Sequence, residues 1–214
     1  AWETPPSAAE PAHVRAAEPL GFDAQLWREL VKIDAPFLRL SPDAGGSGMG
    51  LFDACLMMEE AGRKLAPVPL AESVAALRLL GELGGTVAQG WIDQVRDGET
   101  IVVLALRQSM PSEVQLCPGA AIASGIISFD GREVAIEIPG APLAAPHTLG
   151  GVALGLYAQG CGERQVIASG DRAGRAWAAA LEEWKLLTAS ALIGLSQEAL
   201  TMASTRKRWL GTML

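Results

Sequence analysis

The chain has 214 residues, of which 50% are hydrophobic and 19% are charged, and its formal net charge is −7. This apolar fraction argues against intrinsic disorder, because disordered chains contain too few apolar residues to bury. The acidic balance, without a run of Lys and Arg, argues against nucleic acid as a partner. The three Cys and two His residues show no metal-ligand spacing, so neither a zinc site nor a disulfide framework is expected.

Membrane and export signals are weak in this sequence. The longest apolar run near the C-terminus, residues 186–195, is about half the ~20 residues that a membrane-spanning helix needs. The N-terminus lacks the basic region and apolar core of a signal peptide. We therefore predict a cytoplasmic protein with no membrane segment.

The first 90 residues carry helical patterns separated by proline and glycine. Residues 1–20 contain four prolines and predict an extended arm, because proline removes a hydrogen-bond donor. Asp23 is a suitable N-cap for a short helix that ends at Pro36. The apolar face of that helix is expected to consist of Leu26, Trp27, Leu30, Val31 and Ile33.

Two more helices are predicted after a glycine-rich loop. Residues 37–40 are expected to be extended, and residues 45–50 to form a loop in which glycines permit positive φ. A helix is predicted from Leu51 until shortly before Pro67. Another is predicted over residues 72–83, with Gly84-Gly85 as its stop signal.

The pattern changes to β near residue 98. Residues 101–106 and 122–129 are apolar runs with β-branched residues, and residues 133–138 alternate apolar and polar. Asp130-Gly131 predicts a tight hairpin between the last two runs, because a type I′ turn requires positive φ. Residues 165–168 suggest one further strand.

A long helical pattern closes the sequence. Apolar residues recur from Trp177 to Met202 for about seven turns, and a helix of this length requires a packing partner. The order of helical block, β block and long helix predicts an α+β fold. We predict three domains, over residues 1–90, 91–172 and 173–214.

Two local features allow more than one interpretation. The glycine loop at residues 46–50 could cradle a phosphate, but its spacing is GxGxG and no suitable acidic residue follows, so a tight structural loop is favoured. The basic cluster at residues 206–208 either stabilises the C-terminal end of a helix or holds a phosphate.

Several segments resemble the acyl-CoA dehydrogenase family. Those typical of its N-terminal helical domain are Gly21-Phe22-Asp23, Leu26-Trp27-Arg28-Glu29-Leu30, Ser41-Pro42-Asp43-Ala44-Gly45-Gly46-Ser47-Gly48, Glu59-Glu60-Ala61-Gly62-Arg63 and Ala66-Pro67-Val68-Pro69. Trp184-Lys185 with Ala191-Leu192-Ile193-Gly194-Leu195 resembles the start of the family's helical bundle. The resemblance implies an N-terminal helical domain, an antiparallel β-barrel-like middle domain and the first helices of an incomplete bundle.

The resemblance also implies an activity. The family comprises flavoproteins of fatty acid or lipid catabolism, oxidoreductases that use FAD to desaturate an acyl-CoA thioester at its α,β-bond. A carboxylate removes the α-proton, and the β-hydrogen leaves as hydride to the flavin. The implied partners are an acyl-CoA substrate and another acyl-CoA dehydrogenase subunit, in a homo- or hetero-oligomer.

Candidate site residues follow from matching the family's motifs. In one subgroup the catalytic glutamate lies on the first bundle helix, at a position that corresponds here to Trp184, so the adjacent Glu183 is the candidate base; the usual base lies beyond Leu214. The segment that contains Arg206 resembles one whose arginine contacts the flavin pyrophosphate. Leu106 and Arg107 stand where the family has a flavin-contacting turn.

The sequence departs from the family at that turn. Arg107 and Gln108 replace the usual Thr and Glu, and the glycine loop that should follow is missing. Two interpretations cover the departures. The sequence is part of a longer enzyme, or it is a flavin-poor, non-catalytic partner subunit of a heteromeric acyl-CoA dehydrogenase. A stand-alone acyl-CoA binding module is a third alternative.

Overall fold

A computed structural model describes residues 17–148 and 152–211, with side chains described as far as Ser204. Its helices are α1 (Ala24–Lys32), α2 (Leu51–Arg63), α3 (Leu70–Leu83), α4 (Gly85–Val95) and α5 (Asp171–Gly211). Its strands are β1 (Val102–Leu104), β2 (Val114–Pro118), β3 (Gly125–Phe129), β4 (Glu133–Pro139), β5 (Leu154–Ala158) and β6 (Gly162–Ser169). The α+β class and the order of helices, sheets and long helix are confirmed. The predicted arm falls largely on residues 1–16, outside the described part.

Helix α1 begins as predicted, at the Asp23 cap. The Asp23 carboxylate accepts hydrogen bonds from the backbone N–H groups of Gln25 at 2.9 Å and Leu26 at 3.0 Å. Trp27 and Val31 are buried against the core. The prediction for Ile33 was wrong, because this residue forms the C-cap and is 73% exposed.

The segment predicted to be extended, residues 37–40, consists of the end of a 3₁₀ turn and further tight turns. A 3₁₀ turn spans Ala35–Phe37, and the N–H of Leu40 donates to the Phe37 carbonyl at 3.1 Å. Pro36 lies at the start of this turn, where its fixed φ suits a helical conformation. The tight turn buries both Phe37 and Leu40, which an extended segment with alternating side chains would not do.

The glycine-rich loop uses its backbone donors within the protein. The N–H groups of Gly46, Gly48 and Met49 donate to the carbonyls of Ser41, Leu40 and Leu38 at 2.8–2.9 Å. The Gly50 N–H donates to the Asp53 carboxylate. No described N–H of residues 45–50 is therefore left to cradle a phosphate, which confirms the structural interpretation of this loop.

Helix α4 was missed in the sequence. Gly84 and Gly85 both have positive φ and end α3, as predicted, but a new helix starts at once. Its buried residues, Ala88, Trp91, Ile92 and Val95, follow the spacing of one helix face. The predicted domain limit between residues 90 and 91 falls inside this helix.

The middle of the chain forms two sheets. The larger sheet has the order β1-β3-β4-β6, and β2 pairs with β5 in a separate two-stranded sheet. The β3–β4 hairpin around Asp130-Gly131 is confirmed, as is the strand around residues 165–168. One pair departs from the expected antiparallel arrangement, since β1 runs parallel to β3. Strands β2 and β5, with alternating burial along each, were not predicted.

Helix α5, 41 residues long, packs against α2 and α3. Two glycines permit its close approach to α2. A Cβ on Gly62 would lie 1.9 Å from the Ala191 carbonyl oxygen, and one on Gly194 would lie 1.8 Å from that of Glu59. The two helix backbones are therefore in direct contact.

The same helix meets a simple test for a membrane segment. Within the described residues, Asp171–Ser204 is long and apolar enough to cross a membrane, which is weak evidence because it rests on length and composition alone. Packing against α2 and α3 accounts for the apolar character of its inner face.

We expect Gly62→Ala and Gly194→Ala each to lower the free energy of unfolding by about 1–3 kcal/mol, because the added methyl group meets a backbone carbonyl. Gly90→Ala is the matched control. A Cβ at Gly90 in α4 has nothing within 4 Å, so alanine should stabilise that helix by about 0.5–1 kcal/mol. Urea unfolding measures all three, and equal effects would contradict the close helix crossing.

Candidate functional site

A cavity of about 300 Å³ lies where α2, α3 and α5 meet the middle domain. Its walls are mostly aliphatic. Residues that line it include Met58 and Gly62 of α2, Ala71 of α3, Gly119 and Ala153 of the middle domain, and Ala191 and Leu195 of α5. A cavity of this size and character suits a small apolar ligand group.

The connection between α2 and α3 forms one wall of the cavity. Leu65, with φ +51°, turns the chain out of α2, and the Ala66 N–H donates to the Ala61 carbonyl at 2.9 Å. The Pro67 carbonyl accepts a hydrogen bond from the backbone N–H of Asp23 at 2.9 Å. This wall is therefore held by the residue that caps α1.

Glu72 brings a carboxyl group into this apolar site. It lies in the first turn of α3, where its Oε1 accepts a hydrogen bond of 3.0 Å from Nε1 of Trp184 on α5. Burial raises the pKa of Glu72 above its ordinary value, and the Trp184 hydrogen bond only partly opposes this shift. Burial, with a contribution from the Glu72 charge, also raises the pKa of the Cys117 thiol.

Thr188 is the other oxygen-bearing side chain among the described cavity residues. It lies one turn of α5 after Trp184. Its Oγ1 is buried and has no hydrogen-bond partner within the described part of the chain. A buried hydroxyl in this state carries a desolvation cost that a ligand can relieve.

The candidate base Glu183 lies next to Trp184 in sequence but outside the cavity lining. Its side chain is 6% exposed and is held by two arginines. Arg39 donates from Nε to Oε1 at 2.8 Å and from Nη2 to Oε2 at 3.2 Å, while Nε of Arg78 lies 3.1 Å from Oε2. The hydrogen bond with Glu183 raises the pKa of Arg39.

The ion pairs of Glu183 connect three parts of the molecule. Arg39 also donates from Nη1 to the carbonyl of Met49 at 2.6 Å, within the glycine-rich loop, and Arg78 belongs to α3. Through Glu183, helix α5 is therefore linked by ion pairs to α3 and to the arginine that contacts the glycine-rich loop. Glu183 and Trp184 are neighbours on α5, and neighbouring helix residues point ~100° apart. The side chain of Glu183 therefore points to a different side of α5 from that of Trp184.

The predicted cofactor contacts occupy the loop after β1. The side-chain amide of Gln115 holds Arg107 by its backbone, accepting from the N–H at 3.1 Å and donating to the carbonyl at 3.3 Å. The Arg107 guanidinium is 60% exposed and lies 3.4 Å from Glu113. Leu106 is partly buried in the same loop. The side chain of Arg206 lies outside the described residues.

Sequence reasoning did not find the pair formed by Glu72 and Trp184. Trp184 was noted only as a position where the family has a glutamate, and Glu72 only as a residue in a helix. The two residues are 112 positions apart, so their contact depends on how α3 and α5 pack. No local spacing in the sequence contains that information.

The comparisons with known proteins agree with this architecture. The sequence model described as "Acyl-CoA dehydrogenase, N-terminal domain" matches residues 6–89. Acyl-CoA dehydrogenase IpdE2 of Mycolicibacterium smegmatis is 40% identical over 81 residues, which are 36% of this chain and 26% of that protein. Acyl-CoA dehydrogenase FadE27 of Mycobacterium tuberculosis is 36% identical over 106 residues, 47% of this chain and 28% of its own length.

Solved structures share the fold. One titled a Tcur3481–Tcur3483 steroid ACAD superimposes with a TM-score of 0.72 and 23% identity, covering 90% of this chain and 60% of that one. Another, titled "Apo-form PigA", gives a TM-score of 0.65 and 14% identity, covering 94% of this chain and 68% of that one. The helical domain, the sheets and the long helix thus define an acyl-CoA dehydrogenase fold.

The chain matches the acyl-CoA dehydrogenase family over residues 6–89, the N-terminal domain, and shares the fold of the solved relatives. It matches about a quarter of the length of the curated relatives.

We expect the stability of Glu72→Gln to depend on pH differently from that of the unsubstituted protein. Because the pKa of Glu72 is raised in the folded state, folding retains a proton that the unfolded chain releases. The parent should therefore lose stability relative to the variant as pH rises from the ordinary carboxyl value of 4.5 through the raised pKa.

Chemical unfolding between pH 4 and pH 8 measures this difference. Glu99→Gln is the control, because Glu99 is 72% exposed and pairs with Arg28 on the surface. If the Glu72 and Glu99 variants gave the same pH profile, the Glu72 carboxyl would not have the environment described.

We also expect Glu183→Ala to lower the free energy of unfolding by about 3 kcal/mol, because it leaves the partly buried Arg39 without a carboxylate partner and Arg78 with Glu82 alone. Glu182→Ala is the matched control. Glu182 is 70% exposed and pairs with Lys185, so its loss should change stability by less than about 0.5 kcal/mol. Thermal unfolding separates the two, and similar small losses would exclude a structural role for Glu183.

Proposed function

We propose that this chain forms the acyl-binding part of an acyl-CoA dehydrogenase that uses FAD to desaturate an acyl-CoA thioester at its α,β-bond. The observation that carries the proposal is the aliphatic cavity between α2, α3 and α5. The similarity of residues 6–89 to the N-terminal domain of acyl-CoA dehydrogenases supports the reaction class. The proposed setting is the cytoplasm, as part of lipid catabolism.

The cavity supports acyl binding through its composition. Transferring apolar ligand surface from water is favourable by about 25 cal/mol per Å², and the cavity walls offer few polar groups that would lose hydration. The wall at residues 65–69 is fixed by hydrogen bonds to Ala61 and Asp23. A preformed site of this kind loses little conformational entropy when a ligand binds.

Among the residues with described side chains, Arg107 suits a phosphate group of FAD. When bound, the flavin supplies hydride acceptance. Arg107 has an exposed guanidinium in a surface ion pair, and such pairs contribute only about 0–1 kcal/mol, so a phosphate can replace Glu113 at little cost. The side chain of Gln115 fixes the Arg107 backbone. In this proposal Leu106 borders the flavin ring, and Arg206 contacts a second phosphate group.

The proposed role of Glu183 is more limited than that of a base in direct contact with substrate. Both of its oxygens are held by arginines in ion pairs, which occupy acceptor positions of the carboxylate. In this proposal Glu183 positions α5, and therefore Trp184, at the cavity. The α-proton would then pass to a carboxylate outside the described residues or in a second subunit.

A second candidate function follows from the exposed apolar side chains of α5. The chain would be a non-catalytic partner subunit in a heteromeric acyl-CoA dehydrogenase. Helix α5 exposes apolar side chains that suit such a contact, among them Leu186, Ile193, Leu200 and Met202. The structure with the TM-score of 0.72 is titled with two protein names, Tcur3481 and Tcur3483.

We propose three domains, with the first limit placed later in the chain than the sequence suggested. Helix α4 ends at Val95 and β1 begins at Val102, so we place the first limit between them. The second limit, near residue 172, agrees with the start of α5 at Asp171. The last domain would be completed by further helices or by another subunit.

The test measures flavin absorbance and acyl-CoA binding by the purified chain. For the first candidate we expect the purified chain to bind both FAD and an acyl-CoA on its own. For the second we expect flavin binding, and bleaching by an acyl-CoA, only after mixing with a second acyl-CoA dehydrogenase subunit. We expect Arg107→Gln to weaken FAD binding about tenfold, the equivalent of one charge-assisted hydrogen bond.

Arg28→Gln provides the control, since Arg28 is also an exposed arginine, paired with Glu99 at 3.2 Å. It should leave FAD binding unchanged. A chain that binds neither FAD nor acyl-CoA, alone or mixed, would refute both candidates. Equal effects of the two arginine substitutions would refute the role of Arg107.

A further inference from the structure

The interior of the middle domain holds a cluster of buried polar side chains. Its members among the described residues are Ser109, Gln115, Ser128 and Glu137, together with the hydroxyl of the fully buried Tyr157. Buried polar groups are tolerated when they are hydrogen-bonded, so their partners indicate what they hold in place. In this cluster the hydrogen bonds extend from Glu137 toward the backbone of Arg107.

The Gln115 side chain acts toward Arg107 as a neighbouring strand would. Its Oε1 accepts from the Arg107 N–H at 3.1 Å, and its Nε2 donates to the Arg107 carbonyl at 3.3 Å. A side-chain amide carries a donor and an acceptor, as a backbone peptide group does. Turning the amide over would place donor against donor and acceptor against acceptor. A contact that fixes the orientation of this amide therefore also fixes the backbone of Arg107.

Ser109 provides such a contact. Its hydroxyl oxygen accepts from Nε2 of Gln115 at 3.4 Å, and both side chains are buried. The backbone N–H of Ser109 donates to the Phe129 carbonyl at 2.7 Å, which holds the serine against the end of β3. A hydroxyl group has one donor, so Ser109 accepts from Gln115 while its own O–H donates to another oxygen.

Tyr157 supplies that oxygen. It is the cross-strand partner of Gln115 in the β2–β5 pair, so the two side chains lie side by side on the buried face of this sheet. Burial raises the pKa of Tyr157, and hydrogen bonds from Ser128 and Ser109 partly oppose this rise. Hydrogen bonds that favour the charged form of a phenol are donated to its oxygen.

The hydroxyl of Tyr157 itself points to Glu137. It donates to Oε1 of Glu137 at 3.1 Å, and the backbone N–H of Gly160 donates to Oε2 at 2.8 Å. The thiol of Cys161 donates to the same Oε2 at 3.7 Å. Because its one O–H is committed to Glu137, the Tyr157 oxygen is left to accept from the serines.

We propose that Glu137 and Tyr157 are positioning residues that prepare Arg107 to bind a phosphate group of FAD. Their hydrogen bond sets the direction of the Ser109 hydroxyl, which sets the orientation of the Gln115 amide. The backbone of Arg107 is thereby ordered before the ligand arrives, so binding loses less conformational entropy. This inference rests on the proposed role of Arg107 in the FAD site and adds the residues that support it.

Stability alone does not call for polar side chains at these positions. Replacing both partners of a buried hydrogen bond by apolar groups of the same shape is often nearly neutral for stability. An apolar core, however, offers no donor or acceptor to the backbone of Arg107. What the polar cluster adds is one fixed orientation of Gln115, and through it of the loop that follows β1.

Tyr157→Phe is the main test, because it removes one hydroxyl group and leaves the ring in the core. We expect it to weaken FAD binding about three- to fivefold, less than the loss expected for Arg107→Gln. Flavin fluorescence titration measures both variants, on the full chain alone and mixed with a second acyl-CoA dehydrogenase subunit. In the Arg107→Gln background, Tyr157→Phe should cause no further loss, because residues that act through one contact are not additive.

Amide hydrogen exchange gives a readout without flavin. Tyr157→Phe should speed exchange of the Arg107 N–H about threefold or more relative to the amides of β3, because Gln115 then holds this N–H less firmly. Glu137→Gln should do the same. The new side-chain amide donates where an oxygen now accepts, so one of the donors to Glu137 loses its acceptor.

Ile136→Val is the matched control. Ile136 is fully buried in β4 next to Glu137, but neighbouring strand residues point to opposite faces of the sheet. The substitution therefore removes packing without touching the hydrogen bonds of the cluster. We expect unchanged FAD affinity and unchanged exchange of the Arg107 N–H relative to β3.

The double variant and the control distinguish a positioning role from lost stability. Additive losses from Tyr157→Phe and Arg107→Gln would refute the inference, because Tyr157 would then act on FAD by another route. Faster exchange at Arg107 without weaker FAD binding would refute it as well, and so would equal effects of Ile136→Val and Tyr157→Phe. If the unsubstituted chain binds no FAD, alone or mixed, the proposed function fails and the inference with it.

Discussion

The contact between the backbones of α2 and α5 is the constraint on which this structure depends. At Gly62 and Gly194, any side chain would overlap a carbonyl of the facing helix. Two helices that touch at one crossing must diverge away from it. The space between them is closed by α3 and by residues 65–69, which connect α2 to α3. The cavity is thus a consequence of where two residues lack a Cβ.

The crossing also fixes which side chains of α5 face which neighbour. With α5 held against α2, Glu183 turns toward Arg39 and Arg78, whereas Trp184 turns toward Glu72. Two consecutive residues therefore serve different parts of the molecule. Glu183 connects the helix to Arg39 and Arg78, and Trp184 donates its indole N–H to Glu72, which lines the cavity. A small rotation of α5 would disturb both interactions together.

Much of the fold could be predicted because its signals are local. The Asp23 cap, the Asp130-Gly131 turn and the periodicity of α5 each act within a few residues. Helix α4 was missed because Gly84-Gly85 indicated a stop, and a stop signal does not exclude an immediate restart. Residues 37–40 were misjudged because a short apolar stretch with Phe37 suggests a strand, whereas Pro36 at the start of a 3₁₀ turn set the local conformation.

The candidate site could be predicted only in part. The family motifs directed attention to Glu183, Leu106 and Arg107, but the partners of these residues, such as Gln115 and Arg78, depend on tertiary packing. The polar pair in the cavity depends on the angle at which α3 meets α5. An alignment to motifs gives positions along the chain, while the hydrogen bonds at those positions are set by elements far apart in sequence.

The packing of α5 changes along its length, and this has a consequence for its local stability. Ala173, Ala176, Trp177, Ala180 and Leu187 are buried in its first half, while Leu200 and Met202 are exposed near the end of the described side chains. A single continuous helix thus spans two environments. Amide hydrogen exchange should be slow in the first half and progressively faster after Gly194, because opening there exposes little buried surface. A bound subunit or further helices would protect the same amides, so the gradient along one helix reports directly on whether that surface is covered.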